Sequence, residues 1–158
     1  RGVVMITVED GEKAQAKWGQ GVVAIASAHS SGMDYVELGR NHVESLYGYG
    51  IVPVLFKPTM AVKEPFRSTF EGALSYFVAG NGVCIEDTGF AIKGWTNVRF
   101  ENENIVINGE TAMVMGNYFF TSPEGDEVKV EFSFGYVWDS FGSLRIQLHH
   151  SSMPAKID

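Results

Sequence analysis

Two histidines and two serines stand together near the C-terminal end of the chain, in the stretch LRIQLHHSSMP at positions 144–154. Side chains of these types can bind a metal ion, pair as nucleophile and base, or hold and move a proton. The residues before them alternate between apolar and polar, which predicts a β-strand whose residues two apart share a face. His149 and Ser151 therefore lie on one face and His150 on the other. The same alternation adds Arg145 and Gln147 to the first face, and Leu144, Ile146 and Leu148 to the second.

The pattern does not favour a metal site or a serine nucleophile. Adjacent strand residues point to opposite faces, so His149 and His150 cannot bind one ion without a bulge. His29 falls on the buried stripe of a predicted helix, where a hydrogen-bonded core histidine is more common than a metal ligand. The sequence contains neither a His-Glu-x-x-His motif nor a Gly-x-Ser-x-Gly elbow.

General acid–base chemistry by His149 and Ser151 remains. It requires that their face of the strand turn toward an internal cavity, as it would in a strongly curved sheet. The alternation is also compatible with a polar face exposed to solvent, so the pattern leaves both interpretations open.

The composition is that of a globular domain, and we treat residues 1–158 as one domain. The chain has 45% apolar residues and a formal net charge of −7. No basic stripe is present, which argues against nucleic acid as a partner. The longest apolar runs, such as IVPVLF, are too short to span a membrane. The single cysteine, Cys84, excludes an internal disulfide and is predicted to be a small buried core residue.

Three helices are predicted in the first half of the chain, from Asp10 to about Ser30, from Asp34 to Gly48, and from Ser68 to Gly80. The apolar stripe of the third helix consists of Phe70, Ala73, Leu74, Phe77 and Val78. Tyr76 lies at the border of this stripe, where a tyrosine can bury its ring and leave its hydroxyl in a cavity.

The pattern of the second half of the chain predicts β-strands. Four segments of alternating residues, the last of them ending in HHSS, are separated by turn signals such as NG and SPEGD. Before the third helix, IVPVLFKPTMA is an extended stretch that Pro53 and Pro58 place at an edge or a bend. Helices followed by an antiparallel meander predict an α+β fold. A curved sheet wrapped around the N-terminal helices would form a cone with a pocket.

Several segments, taken in order, resemble one known family: LYGYGIVPVLFKPTMA, FRSTFEGALSYFVAG, EDTGFAIKGWTNVRFEN, MGNYFFT, VEFSFGYVWD and LHHSSMP. Residues 12–154 are similar to the iota-class carbonic anhydrases of algae, cyanobacteria and other bacteria. The domain of that family is related to the association domain of calcium/calmodulin-dependent protein kinase II, within the nuclear-transport-factor-2-like superfamily.

The resemblance implies a cone-shaped α+β fold, homodimers built through the sheets, and the lyase reaction that hydrates carbon dioxide reversibly to bicarbonate. Carried over by motif, the site hydroxyls are those of Thr59 in KPT, Tyr76 in LSYF and Ser151 in HHSS, and the histidine is His149. It implies a site without a cofactor or metal, with manganese or zinc as the alternative described for some members.

Algal members often carry several such domains, so the chain, which starts with Arg, is expected to be one repeat of a longer protein. The resemblance also implies a photosynthetic context, in the plastid (chloroplast) or in the cytoplasm.

The chemistry of these side chains suggests a role for each. Thr59 and Ser151 would orient a water molecule toward the carbon of carbon dioxide. Tyr76 would donate to the oxygen on which negative charge develops. His149, with an ordinary pKa of about 6.5, would carry the proton away.

A second function class stays open from the residues alone. A non-enzymatic association module could have the same cone fold and a vestigial pocket, with the strand VKVEFSFGYVW serving as the interface between subunits. Fold alone does not separate the two.

Overall fold

The computed structural model describes residues 4–158. The helical elements, in chain order, are α1 (Val8–Ser30), α2 (Tyr35–Leu46), α3 (Phe70–Val78) and a short 3₁₀ helix (Phe90–Ile92). The strands are β1 (Leu55–Lys57), β2 (Asn97–Asn108), β3 (Thr111–Thr121), β4 (Glu127–Trp138) and β5 (Leu144–Ser152). The prediction of an α+β fold is confirmed.

Side-chain caps fix where the helices begin. In α1 the cap is Thr7, whose hydroxyl accepts from the Asp10 amide at 3.1 Å while the Asp10 carboxylate accepts from the Thr7 amide at 2.8 Å. Asp10, predicted as the cap, is thus the third helical residue. The α3 cap is Thr69, one residue beyond the predicted Ser68. Asp34 caps α2 as predicted.

The strands of the described chain form one sheet in the order β1-β5-β4-β3-β2. Strands β2 to β5 are antiparallel neighbours, and β1 pairs in parallel with β5, so that Phe56 lies opposite His149. The short β1 follows Pro53 and precedes Pro58, and it occupies an edge of the sheet. The predicted edge position is confirmed.

The sheet curves around α1, as the contacts of one buried indole show. The ring centroid of Trp18 lies 5.4 to 6.3 Å from those of four aromatic residues on four successive strands, namely Phe100, Tyr118, Phe134 and His149. Four strands of a flat sheet span about 14 Å. One side chain therefore reaches all of them only because the sheet wraps around it, as the predicted cone requires.

A bulge in β5 changes the predicted assignment of faces. Gly135 pairs with Leu148, but Tyr136 pairs with Ile146, so that Gln147 is an extra residue on β5. Cross-strand partners share a face. Ile146 and Leu144, opposite Tyr136 and Trp138, therefore lie on the inner face with His149 and Ser151. The prediction that Arg145 and Gln147 accompany His149 is wrong, because strict alternation assumes an unbroken strand.

Two other expectations about single residues have different outcomes. His29 is exposed at the end of α1, with its ring beside Tyr35, so its assignment to the buried stripe is wrong. The buried residues of α1 end at Ala28. Cys84 is buried as predicted.

Candidate active site

The inner face of the sheet brings together the four residues chosen from the sequence. Thr59 follows β1, Tyr76 lies on α3, and His149 and Ser151 lie on β5. His149 and Ser151 are 2% and 1% exposed, and Tyr76 is 5% exposed. The interpretation in which the His149 face turns inward is therefore correct, and the solvent-facing alternative is wrong.

Three hydroxyl groups form a continuous hydrogen-bonded row. The Ser151 Oγ lies 2.5 Å from the Thr59 Oγ1, and the Tyr118 hydroxyl donates to the same Ser151 Oγ at 2.5 Å. The Lys57 ammonium donates to the backbone carbonyls of Thr59 and Ser151, at 3.3 and 3.2 Å. This lysine therefore ties the end of β1 to the end of β5, which holds the two hydroxyls in contact.

Tyr76 is available as a hydrogen-bond donor. Its hydroxyl oxygen accepts from the backbone amide of Met60 at 3.2 Å, which leaves its own proton for another partner. Burial raises the pKa of Tyr76 to about 12, although hydrogen bonds from Met60 and Thr59 oppose the rise. The phenol is therefore protonated at neutral pH and can donate to a developing oxyanion.

An ion pair behind Tyr76 fixes its position. The guanidinium of Arg67 donates to both carboxylate oxygens of Asp87, at 2.6 and 2.7 Å, and lies 5.8 Å from the centroid of the Tyr76 ring. Ser75, the neighbour of Tyr76 on α3, donates to the same Asp87 carboxylate at 2.6 Å. Bidentate geometry of this kind restricts rotation, so α3 and its phenol are held rigidly.

His149 is enclosed by aromatic rings and bonded through both of its nitrogens. Its Nδ1 lies 2.8 Å from the Tyr47 hydroxyl and its Nε2 lies 3.1 Å from the Tyr118 hydroxyl. The imidazole stacks on Phe56 with centroids 4.8 Å apart and an interplanar angle of 9°. Burial lowers the pKa of His149 well below its ordinary value. The expected pKa near 6.5 is therefore wrong, and the ring is neutral at physiological pH.

These groups line a small cavity. Its volume is about 10 Å³, which is close to the room that a single water molecule needs. Its lining consists of Trp18, Phe56, Pro58, Thr59, Tyr76, Phe77, Phe90, Tyr118, His149 and Ser151. A second space of about 90 Å³ shares Tyr76 and Phe90 with it and is also lined by Met60 and Lys93. Apolar walls and a few convergent hydroxyls are typical of a site for a small, uncharged substrate.

Sequence reasoning missed three residues of the site: Trp18, Tyr47 and Tyr118. Helical periodicity places Trp18 and Tyr47 among apolar core residues, and Tyr118 is one aromatic among several in MGNYFFT. Each carries a polar atom that a buried position must satisfy. That requirement was the signal that could have marked them, but it does not name the partner.

No group of three histidine, cysteine, aspartate or glutamate side chains in residues 4–158 is arranged to hold a metal ion. Comparison with known proteins bears on the same question. Residues 9–153 match the family described as metal-independent carbonic anhydrase. A metal-independent carbonic anhydrase of Nostoc sp. is 39% identical over 152 residues, which cover 94% of this chain and 74% of that protein.

The chain belongs to the metal-independent carbonic anhydrases.

A solved structure of a family member has the same fold. The crystal structure of the iota-carbonic anhydrase from a cyanobacterium, complexed with bicarbonate, superposes with a TM-score of 0.94 at 37% identity, over 99% of both chains. A protein from Xanthomonas campestris, described as a calcium/calmodulin-dependent protein kinase II association domain, matches with a TM-score of 0.54 at 20% identity, over 87% of this chain and 83% of its own. This second similarity concerns the fold alone.

The sequence motifs therefore indicated the correct family, and the association domain shares the fold of this chain.

Among residues 4–158, no helix is long and apolar enough to cross a bilayer.

Proposed function

We propose that this chain hydrates carbon dioxide reversibly to bicarbonate without a metal ion, at the cavity between Thr59, Tyr76, Tyr118 and Ser151. The observation that carries the proposal is the row of three hydroxyls joined by 2.5 Å contacts in a pocket whose other walls are mainly aromatic. Membership of the metal-independent carbonic anhydrase family supports it.

The aromatic walls suit the substrate. Carbon dioxide is small, linear and apolar, and the rings of Phe56, Phe77 and Phe90 give it a surface from which water is excluded. Carbon dioxide enters from the larger neighbouring space, past Met60, because that space shares Tyr76 and Phe90 with the cavity.

Water is a weak nucleophile, with a pKa of about 15.7, and without a metal its proton must leave as the bond to carbon forms. A hydroxyl accepts through two lone pairs and donates one proton. Ser151 Oγ, which already accepts from Tyr118, takes the water proton on its second lone pair and passes its own proton to Thr59. Thr59 is only half-buried, so it passes its proton to solvent.

Tyr76 stabilises the product side of the step. As the water oxygen bonds to carbon, one electron pair of a C=O bond moves onto the carbon dioxide oxygen. The phenol of Tyr76, which remains protonated with a pKa of about 12, donates to that oxygen. Bicarbonate then leaves and a new water molecule replaces it.

His149 holds Tyr118 in place and does not carry the proton to solvent. Its ring is 2% exposed and neutral, and its two hydrogen bonds end on buried phenols. This revises the role expected from an ordinary histidine pKa.

The assembly is proposed to be a homodimer formed through the outer face of the sheet. Val106 and Met113, which are cross-strand partners, and Met115 are exposed there. Beside them a groove of about 390 Å³ runs past Ser133, His150 and other outer residues of β3, β4 and β5. Exposed apolar side chains on an uncovered sheet face are typical of an interface. The plastid location, the photosynthetic context and the membership of a longer multi-domain chain remain predictions.

The decisive experiment is a stopped-flow assay of carbon dioxide hydration before and after treatment with a metal chelator. We expect the rate to survive chelation and to be unchanged by added zinc or manganese. Loss of activity on chelation with recovery in zinc or manganese would show a metal enzyme. No activity under either condition would favour the association-module alternative.

A further inference from the structure

A chain of hydrogen bonds runs through the core and ends at an indole. The Trp18 Nε1 donates to the Tyr47 hydroxyl at 3.0 Å, and Tyr47 lies 2.8 Å from Nδ1 of His149. On the other side of the ring, Nε2 lies 3.1 Å from the Tyr118 hydroxyl, which donates to Ser151. All five residues are at most 2% exposed. This series of hydrogen bonds is therefore shielded from water from Trp18 to Ser151.

The chemistry of the terminal group sets the direction of every proton in this chain. An indole N–H can donate but cannot accept, so the Tyr47 oxygen must be the acceptor in its bond with Trp18. The Tyr47 proton then needs a partner of its own, and Nδ1 of His149 lies 2.8 Å from the Tyr47 oxygen. A buried hydroxyl without a partner would be costly.

The remaining protons follow in order. Because Nδ1 accepts from Tyr47, the single proton of the neutral imidazole is on Nε2, and Nε2 donates to the Tyr118 oxygen. Tyr118 then donates its own proton to Ser151 Oγ, which lies 2.5 Å away. In the other tautomer, Nε2 would be an acceptor and would draw the Tyr118 proton away from Ser151.

We propose that Trp18 and Tyr47 are positioning residues that lock His149 as the Nε2–H tautomer and thereby keep Tyr118 donating to Ser151. The inference rests on the proposed role of Ser151 in catalysis. It adds a control of proton positions by Tyr47, which is three hydrogen bonds away from Ser151. This series of hydrogen bonds also cannot carry the reaction proton away from Ser151, because the Trp18 indole at its end cannot accept a proton. The reaction proton therefore leaves through Thr59.

Nitrogen-15 NMR of the histidine-labelled protein at pH 7.5 reads the tautomer directly. The His149 signals are assigned by their absence from His149→Gln. We expect the parent protein to show a protonated Nε2 and an unprotonated Nδ1. A protonated Nδ1, or a doubly protonated ring, would overturn the inference whatever the activity of any variant.

Tyr47→Phe removes the donor to Nδ1 and keeps the ring. We expect a mixture of His149 tautomers, a fall in kcat of about tenfold or more, and an unchanged KM, since the apolar walls that bind carbon dioxide are intact. An unchanged kcat with a single Nε2–H tautomer would show that Tyr47 is not the lock.

Tyr136→Phe is the matched control, because Tyr136 is also buried and its hydroxyl has no hydrogen-bond partner within residues 4–158. It should change neither the tautomer nor kcat. The NMR reading on the parent protein does not require turnover. An inactive parent protein would therefore sink the proposed function alone, and an active parent with the wrong tautomer would sink this inference alone.

Discussion

The Thr59 Oγ1 and the Ser151 Oγ lie 2.5 Å apart, although the two residues are separated by 92 positions in the chain. The contact exists because β1 pairs in parallel with β5 and because the Lys57 ammonium bridges the carbonyls of both residues. Ser151 is buried and Thr59 is half-buried. The pair therefore connects the interior of the cavity to its mouth.

Removing either hydroxyl of this pair should slow hydration without unfolding the protein. Ser151→Ala and Thr59→Val each delete one donor and acceptor and keep a side chain that fits its position. Loss of one group that stabilises a transition state costs about 2–4 kcal/mol, which corresponds to a fall in kcat of about 30-fold or more. Stopped-flow kinetics measure the fall.

Ser152→Ala is the matched control for Ser151→Ala. Ser152 is the next residue on β5 and points to the opposite face, where it lines the outer groove. The Ser152→Ala variant should hydrate carbon dioxide at the rate of the parent protein. Equal rates for Ser151→Ala and Ser152→Ala would refute the role given to Ser151.

Tyr76→Phe should lower kcat by a similar factor, because it removes the donor to the developing oxyanion while the ring contacts with Phe56 and Phe90 remain. The melting temperature should change little, since the ring stays in place and only the bonds that the hydroxyl accepts from Met60 and Thr59 are lost. Tyr35→Phe, at the start of α2 and outside the cavity, should match the parent in both measurements. A fully active Tyr76→Phe would mean that another group stabilises the product.

The stability of the protein should fall as the pH drops from about 6.5 toward 5, the range in which free histidine takes up a proton. Burial lowers the pKa of His42 to about 3 and that of His149 well below its ordinary value, so both stay neutral when folded. The unfolded chain binds protons that the native chain does not. Each such histidine therefore lowers the free energy of unfolding with a slope that approaches about 1.4 kcal/mol per pH unit near pH 5.

Urea unfolding at a fixed protein concentration, repeated between pH 7 and 5, measures this slope. His42→Leu should remove about half of it, because one of the two buried histidines is gone. His29→Leu alters an exposed histidine and should leave the slope as in the parent. A His42→Leu variant with the parent slope would show that His42 is not the group being protonated on unfolding.

A charge at the centre of the outer sheet face should dissociate the proposed homodimer. Met115 is 61% exposed there, and Met115→Lys would place two ammonium groups against each other across a two-fold interface. Sedimentation equilibrium should then report a monomer. Met33→Lys, at an exposed methionine between α1 and α2, should remain dimeric. A parent protein that is itself monomeric would contradict the assembly.

Much of the fold follows from local pattern. The alternation in β5 placed His149 and Ser151 on one face, because residues two apart in a strand always share one, and that relationship holds in the structure. Prolines around β1 placed it at an edge, because proline cannot donate within a sheet. Capping residues located the helix starts to within a few positions.

What the sequence left open depends on contacts between distant residues. Alternation does not say which face is buried; the curvature of the sheet around Trp18 decides that. A single extra residue at Gln147, set by pairing with β4, moved Ile146 to the inner face. The low pKa of His149 and its bonds to Tyr47 and Tyr118 arise from burial and from partners 102 and 31 positions away. Local periodicity determines which residues of a strand share a face. Burial and hydrogen-bond partners are determined by how distant segments pack together.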